Sequence, residues 1–311
     1  MPTINETPYS RFATEMHNEI IRPLEARLVA RKLATIDPKI KGDGITAFET
    51  FSVGDMSDAI ITLQLPDGTG PSDALTSSAE ILKIPVLHKQ FQVQKSEYLA
   101  WERRQVAPGA ANAIDSEAAH AATTQVARKE EEVIINGWSP AGNEKIPGFW
   151  SVANNSVTGG SIADVGTLFG YVADAMGKLN EDSVTGDNEA YNLVLSPAIH
   201  AKLRSNVYTN TGIREYKEVQ ELLNGGQILV SNLLSGNNSG NDGAIVTPVD
   251  ASREHFSLVN PVDYRVEFAN PKYSSLSPIE GVVYSLMRPY FKRTNAQGKT
   301  NAVCKITGLT I

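Results

Sequence analysis

The chain has 311 residues and 41% hydrophobic content, enough to bury a core in two subdomains or one elaborate domain. A net charge of −7 and a pI near 5.4 argue against a surface devoted to nucleic acid, and the single cysteine, Cys304, excludes an intramolecular disulfide or a multi-cysteine metal site. The opening residues MPTINETPYS are too polar for a secretion signal, and no apolar run reaches the ~18 residues of a membrane span.

Residues 1–9 read as a tail. From Ser10, the residues Phe12, Met16, Ile20, Leu24 and Leu28 recur every four positions and form one stripe of a helix. Pro23 kinks that helix or opens a second one. Between Arg11 and Lys41 there are seven Lys/Arg against four Asp/Glu. This basic arm is either a solvated helix face or a face turned toward a polyanion.

Gly42-Asp43-Gly44 marks a turn, and ITAFETFSV alternates as a strand. Residues 44–82 carry Glu49, Asp55, Asp58, Asp67, Asp73 and Glu80 but no Lys or Arg. With the turn formers of PDGTGPSDALTSSA in its middle, the segment reads as a long hairpin. Two strands alone are marginal in water, so the hairpin is expected to lie on a neighbouring subunit. Ile81 to Gln94 returns as a strand with a bulge near Leu87, where the apolar side slips. Ser96 then caps a short helix, EYLAWERRQV, which contains Arg103 and Arg104.

DSEAAHAATTQVARKEEEVIING reads as one long helix over 115–136, about 33 Å in length. Asp115 caps it, and Gly137 ends it in a left-handed conformation. Its small residues suit close packing on a sheet. Glu130-Glu131-Glu132 reads as a solvated or intersubunit face, with a metal site as the alternative.

Beyond it come an aromatic loop (WSPAGNEKIPGFWSVANN), a helix over 164–180 and the buried strand YNLVL. Ser196-Pro197 opens a further helix, and Asn224-Gly225-Gly226 stops another. QILVS, AIVTPV, FSLV and YRVEFA are short strands. VVYSLMRPYFKR and AVCKITGL close the chain, joined by the turn NAQGK. The fold class is α+β.

Enzyme templates fail. There is no phosphate loop, no helix-opening GxGxxG and no GxSxG elbow. The histidines His17, His88, His120, His200 and His255 stand apart, so no catalytic, metal or cofactor residues are assigned. Cys304 sits in a predicted strand as a buried thiol.

The order of elements from Ile81 through Trp150 resembles the Hong Kong 97 phage capsid fold, especially its encapsulin branch. A strand leaves an extended loop, a short helix follows, and a spine helix ends in Gly before the loop Gly142–Gly148 with Ile146-Pro147-Gly148. YNLVLSPAIHAKL, EVQELLNGGQILVSNLL, GAIVTPV and HFSLV resemble the axial domain of that fold. The resemblance implies an arm (1–43), an extended loop (44–82), a peripheral domain (83–160 and 256–311, with the spine helix at 115–136) and an axial domain (161–255). It implies a structural protein, not an enzyme, whose copies form pentamers and hexamers of a closed icosahedral shell without a cofactor or membrane.

FETFSVGDMSDAIITL and ILKIPVL look closer to the bacteriophage proteins. The first reading is therefore a virion major capsid protein, assembled in the host cytoplasm around double-stranded DNA, with portal, scaffolding or cement proteins as further partners. The alternative is a cytoplasmic encapsulin nanocompartment enclosing cargo enzymes. Under either reading Glu49, Asp55, Asp58, Asp67 and Asp73 meet a neighbour, with Arg103, Arg104 and Lys129 as candidate partners. The stripe Phe12, Met16, Ile20 forms a cargo groove, or Arg22, Arg27, Arg31 and Lys32 line an inner face that contacts phosphates. Some members cross-link a loop lysine to an asparagine, but residues 44–82 hold no lysine, so no such bond is expected from this loop.

Overall fold

The computed structural model describes residues 29–42, 44–53, 77–94, 96, 99, 103, 117–140, 145–181, 189–236, 241–250, 254–268, 278–292 and 299–311. The strands are β1 (Ala47–Val53), β2 (Ser77–Lys83), β3 (Val86–Val93), β4 (Gly137–Trp138), β5 (Ile146–Pro147), β6 (Ala153–Thr158), β7 (Tyr191–Leu195), β8 (Ile228–Val230), β9 (Asp242–Pro248), β10 (Phe256–Phe268), β11 (Ile279–Phe291) and β12 (Thr300–Leu309). The helices are α1 (Glu117–Ile135), α2 (Phe149–Val152), α3 (Thr167–Glu181), α4 (Pro197–Ser205) and α5 (Glu215–Leu222). Ser96, Leu99 and Arg103 are also helical, so Ser96 lies inside the predicted short helix and does not cap it.

The long helix is α1, and its expected cap Asp115 lies outside the described residues. Ala119, Ala122, Val126, Ala127, Val133 and Ile134 form its buried side, packed on β3 and β11. The alanines bring the helix axis close to the sheet. Gly137 ends the helix at φ +84°, as the sequence predicts. A second glycine is required for a different reason. A Cβ on Gly148 would stand 2.2 Å from the Gly137 nitrogen, so the chain leaving α1 and the chain returning through β5 touch backbone to backbone.

Beneath α1 lies an antiparallel sheet in the order β10-β11-β3. Strand period two divides its residues between two faces. Leu87, Phe91, Val283, Met287, Tyr264 and Val266 face α1 in the main core. Val259, Leu286 and Tyr284 face the other way with Ile84, Ile45 and Phe48. Ile81 to Gln94 is not one bulged strand. It breaks at Ile84-Pro85, where proline has no N–H for a ladder; β2 pairs with β1, and β3 pairs with β11. FSLV and YRVEFA are one strand, β10, whose register shifts on both sides of Val262, next to Pro261.

The second sheet has five strands in the order β6-β12-β9-β7-β8. Leu193, Leu195, Ala244, Val246, Cys304 and Ile306 pack on α3, α4 and α5, while Val194, Ile245 and Val303 join the main core. YNLVL is buried at every position, as predicted. Ser196 Oγ accepts from the Ile199 amide at 3.2 Å, with Pro197 in the first turn of α4. Asn224 takes a positive φ of 50° after α5.

The last strand does not pair with the strand before it. β12 does not form a closing hairpin with β11. It runs parallel to β6 and antiparallel to β9 in the five-stranded sheet. Residues 153–158 and 300–309 therefore belong to the five-stranded sheet and not to the β10-β11-β3 sheet. The alternation in AVCKITGL fits either sheet, because period two does not name the partner strand.

Candidate intersubunit and interior surfaces

The base of the hairpin is a two-stranded ribbon. Glu49 lies opposite Ile81, and Thr50 opposite Glu80. The ribbon is fixed to β11 on the face away from α1. Phe48 stacks edge-on to Tyr290 at 5.4 Å, and the hydroxyls of Thr50 and Tyr290 are hydrogen-bonded. Glu49, Glu80 and Ile81 are exposed, Ile81 to 68%. Asp55, Asp58, Asp67 and Asp73 lie outside the described residues.

Of the candidate partners, Arg103 is exposed on its helix and Arg104 lies outside the described residues. Lys129 is engaged within its own helix, 2.8 Å from Glu132 three residues on. Arg128 is exposed on α1, and among the described residues no ion pair engages it. The sequence reading did not single it out, although the phase of α1 places it opposite the buried Ala119, Val126 and Glu130.

The acidic run Glu130-Glu131-Glu132 is not one solvated face. Glu130 is fully buried and receives Arg31, whose side chain is 12% exposed. Arg31 donates through Nε to Glu130 Oε1 at 2.5 Å and through Nη2 to Glu130 Oε2 at 3.1 Å and Asp263 Oδ1 at 2.8 Å. Its guanidinium lies 4.7 Å from the centre of the Tyr264 ring, and Ser285 Oγ donates to Glu130 Oε2. Burial alone would lower the Arg31 pKa, but the bonds to Glu130 and Asp263 outweigh it and raise the pKa. Burial likewise pushes Asp263 up, and Arg31 pulls it below the usual carboxylate range. Burial raises Glu131, against an opposing bond from the Val29 amide at 3.3 Å.

Arg31 therefore does not belong to an interior cationic face. It ties the arm to α1 and β10. Ala30, Leu33 and Ala34 are buried beside it, and residues 35–37 add a parallel bridge along β10, Ile36 to Leu258. Lys32 remains exposed; Phe12, Met16, Ile20, Arg22 and Arg27 lie outside the described residues.

Among the described residues no three His, Cys, Asp or Glu gather as a metal site. His88 and His120 are exposed, His200 is half-buried and His255 is buried; Cys304 is buried in β12. A cleft of about 520 Å³ at the end of the three-stranded sheet is lined by Gln90, Phe91, Gln92, Glu267, Phe268 and Glu280 beside Gly281 and Val282, without a nucleophile–base pair. No described helix is long and apolar enough to cross a membrane.

The profile of the Linocin M18 family, described as encapsulating protein for peroxidase, matches residues 10–276. The chain belongs to this encapsulating-protein family. A curated relative, the diheme-cytochrome-encapsulin shell fusion protein of Kuenenia stuttgartiensis, is 29% identical over 226 residues, 72% of the chain. The chain spans about half of that relative, 56% of its length.

The chain also shares its fold with solved structures. The virus-like particle of Pyrococcus furiosus aligns over 95% of this chain and 99% of its own, at a TM-score of 0.59 and 16% identity. The capsid of Myoviridae phage XM1 aligns over 90% of both chains, at a TM-score of 0.65 and 11% identity. A chain of Mycobacterium phage Che8 aligns over 90% of this chain and 91% of its own, at a TM-score of 0.56 and 13% identity. At such identities the overlap is one of fold, the Hong Kong 97 fold that the order of elements suggests. The family is one of structural shell proteins.

Proposed function

We propose that copies of this chain tile a closed icosahedral shell and that the shell encloses protein cargo. The family match over residues 10–276 carries this reading. The chain then works mechanically, without a reaction of its own. The arm, extended loop, peripheral domain and axial domain divide as the resemblance implies, except that β6 and β12 complete the sheet of the axial side. The acidic loop lies on a neighbour, and Glu49, Asp55, Asp58, Asp67 and Asp73 form that contact. Neutralising the four aspartates should lower assembly yield and salt tolerance; unchanged shells would remove the loop from the contact. Phe12, Met16 and Ile20 form the cargo groove.

A second reading, a phage-type virion capsid around double-stranded DNA, is favoured by the segments FETFSVGDMSDAIITL and ILKIPVL. In that case Arg22, Arg27 and Lys32 meet phosphates on the inner face, and portal, scaffolding or cement proteins complete the particle. One experiment tests both. Purified chain is run on gel filtration and imaged, and particles from the native source are treated with nuclease and opened. A stoichiometric protein passenger supports the nanocompartment. A uniform, genome-length nucleic acid supports the virion. Elution at the mass of a small oligomer overturns both.

A further inference from the structure

Among the described residues, the anchors of the ribbon of β1 and β2 lie on one side. Phe48 and Thr50 meet Tyr290, and Leu82 is buried, so residues of this parity face the sheet. The alternate residues face away. Among them Glu49 and Ile81 are directly opposed, so the carboxylate and the 68%-exposed isoleucine form one patch. The free face of the ribbon thus presents an apolar and an acidic group side by side, a pair that an apolar and a basic group on another surface would complement.

The exposed side of α1 complements this patch in size and charge. Ala121, Gln125 and Arg128 are exposed at spacings of four and three, so they follow one line along the helix. Ala121 leaves room for a large aliphatic side chain. Arg128 lies about 10 Å further along, leans back toward the helix start, and has no ion pair among the described residues. No acidic residue lies between Ala118 and Lys129. Within one chain the two surfaces cannot meet. The α1 core and the ribbon cluster occupy opposite faces of the β10-β11-β3 sheet.

We infer that the Glu49–Ile81 face of the ribbon seats on the Ala121–Gln125–Arg128 line of α1 in a second copy, with Ile81 over Ala121 and Glu49 paired to Arg128. This rests on the shell reading and names the surface through which its loop grips a neighbour. The contact uses Arg128 where the sequence pointed to Lys129, which Glu132 already holds.

The test is a disulfide trap with a charge swap beside it. Ile81→Cys and Ala121→Cys are combined, and assembled shells are oxidised with diamide. The native Cys304 is fully buried and does not compete. The double variant should give a ladder of dimers, trimers and longer chains on a non-reducing gel, absent from either single variant. Arg128→Glu and Glu49→Arg should each lower the assembled fraction by about fivefold, the upper range for one exposed pair. Their combination should restore it. Normal shells without a ladder, or swaps without effect, overturn this contact and leave the shell reading standing. Wild-type chain that never assembles overturns both.

Discussion

Removing Arg31 tests whether the arm is locked to the body by a buried charge pair. In Arg31→Met the fully buried Glu130 loses both guanidinium bonds and is left with neutral neighbours such as Ser285 Oγ, at 3.3 Å. An orphaned buried charge of this kind costs about 3–5 kcal/mol. Set against a total stability of about 5–15 kcal/mol, that is a large share. The double variant Arg31→Met/Glu130→Leu removes both charges and should recover most of the loss, because Asp263 is half exposed and water can take over its bond. The assay is guanidinium denaturation of dissociated chain followed by tryptophan fluorescence, since shell contacts would make the midpoint depend on concentration. A loss under about 1 kcal/mol in Arg31→Met would mean that the pair behaves as a solvated one, and it would refute the buried clamp.

Three further outcomes follow from the geometry. Asp250 accepts backbone N–H bonds from Glu254, His255 and Phe256; burial pushes its pKa up, and these bonds bring it below the ordinary value. Its stabilisation is therefore present above the unfolded carboxylate pKa and lost as pH falls through the folded one, so Asp250→Asn should flatten the acid limb of a stability–pH curve. Glu131 has the opposite sign. Burial raises its pKa, so its ionised form opposes folding at neutral pH, and Glu131→Gln should raise the denaturation midpoint at pH 7 but not at pH 3. Gly148→Ala drives a Cβ into the Gly137 backbone and should cost about 3 kcal/mol or yield insoluble chain; unaltered stability would show that the crossing is looser than described.

Local signals carried much of the architecture. The phase of α1, the Gly137 stop, the apolar run YNLVL and the Ser196-Pro197 cap each act within a few residues, and each appears in the fold. Long-range choices were not visible in the same way. Arg31 and Glu130 lie 99 residues apart, and three successive glutamates read most simply as a wet surface. The helix phase did contain the correction. Glu130 falls four residues after Val126 and three before Val133, on the buried side. The sheet assignment of β12 had no local signal, because alternation fixes which face a residue takes and not which strand lies beside it. Of the candidate surface residues, Glu49 stands exposed on β1, while Arg31 proved internal because its partners Glu130 and Asp263 lie far along the chain.

The placement of β12 also sets a schedule. Strand β6 takes its ladder from β12 and from no other described strand, and the contact from Asn154 to Asn301 spans 147 residues. A ribosome adding about 5–20 residues per second needs about 7–30 s to cover that interval. Throughout it the nascent chain holds an open strand edge beside sibling chains carrying the same edge. A β12 from one chain fits the β6 of another as well as its own, so crowding on one message favours exchanged pairs. Slower initiation, which spaces ribosomes along the message, should raise the yield of correctly closed subunits without any change in the protein itself.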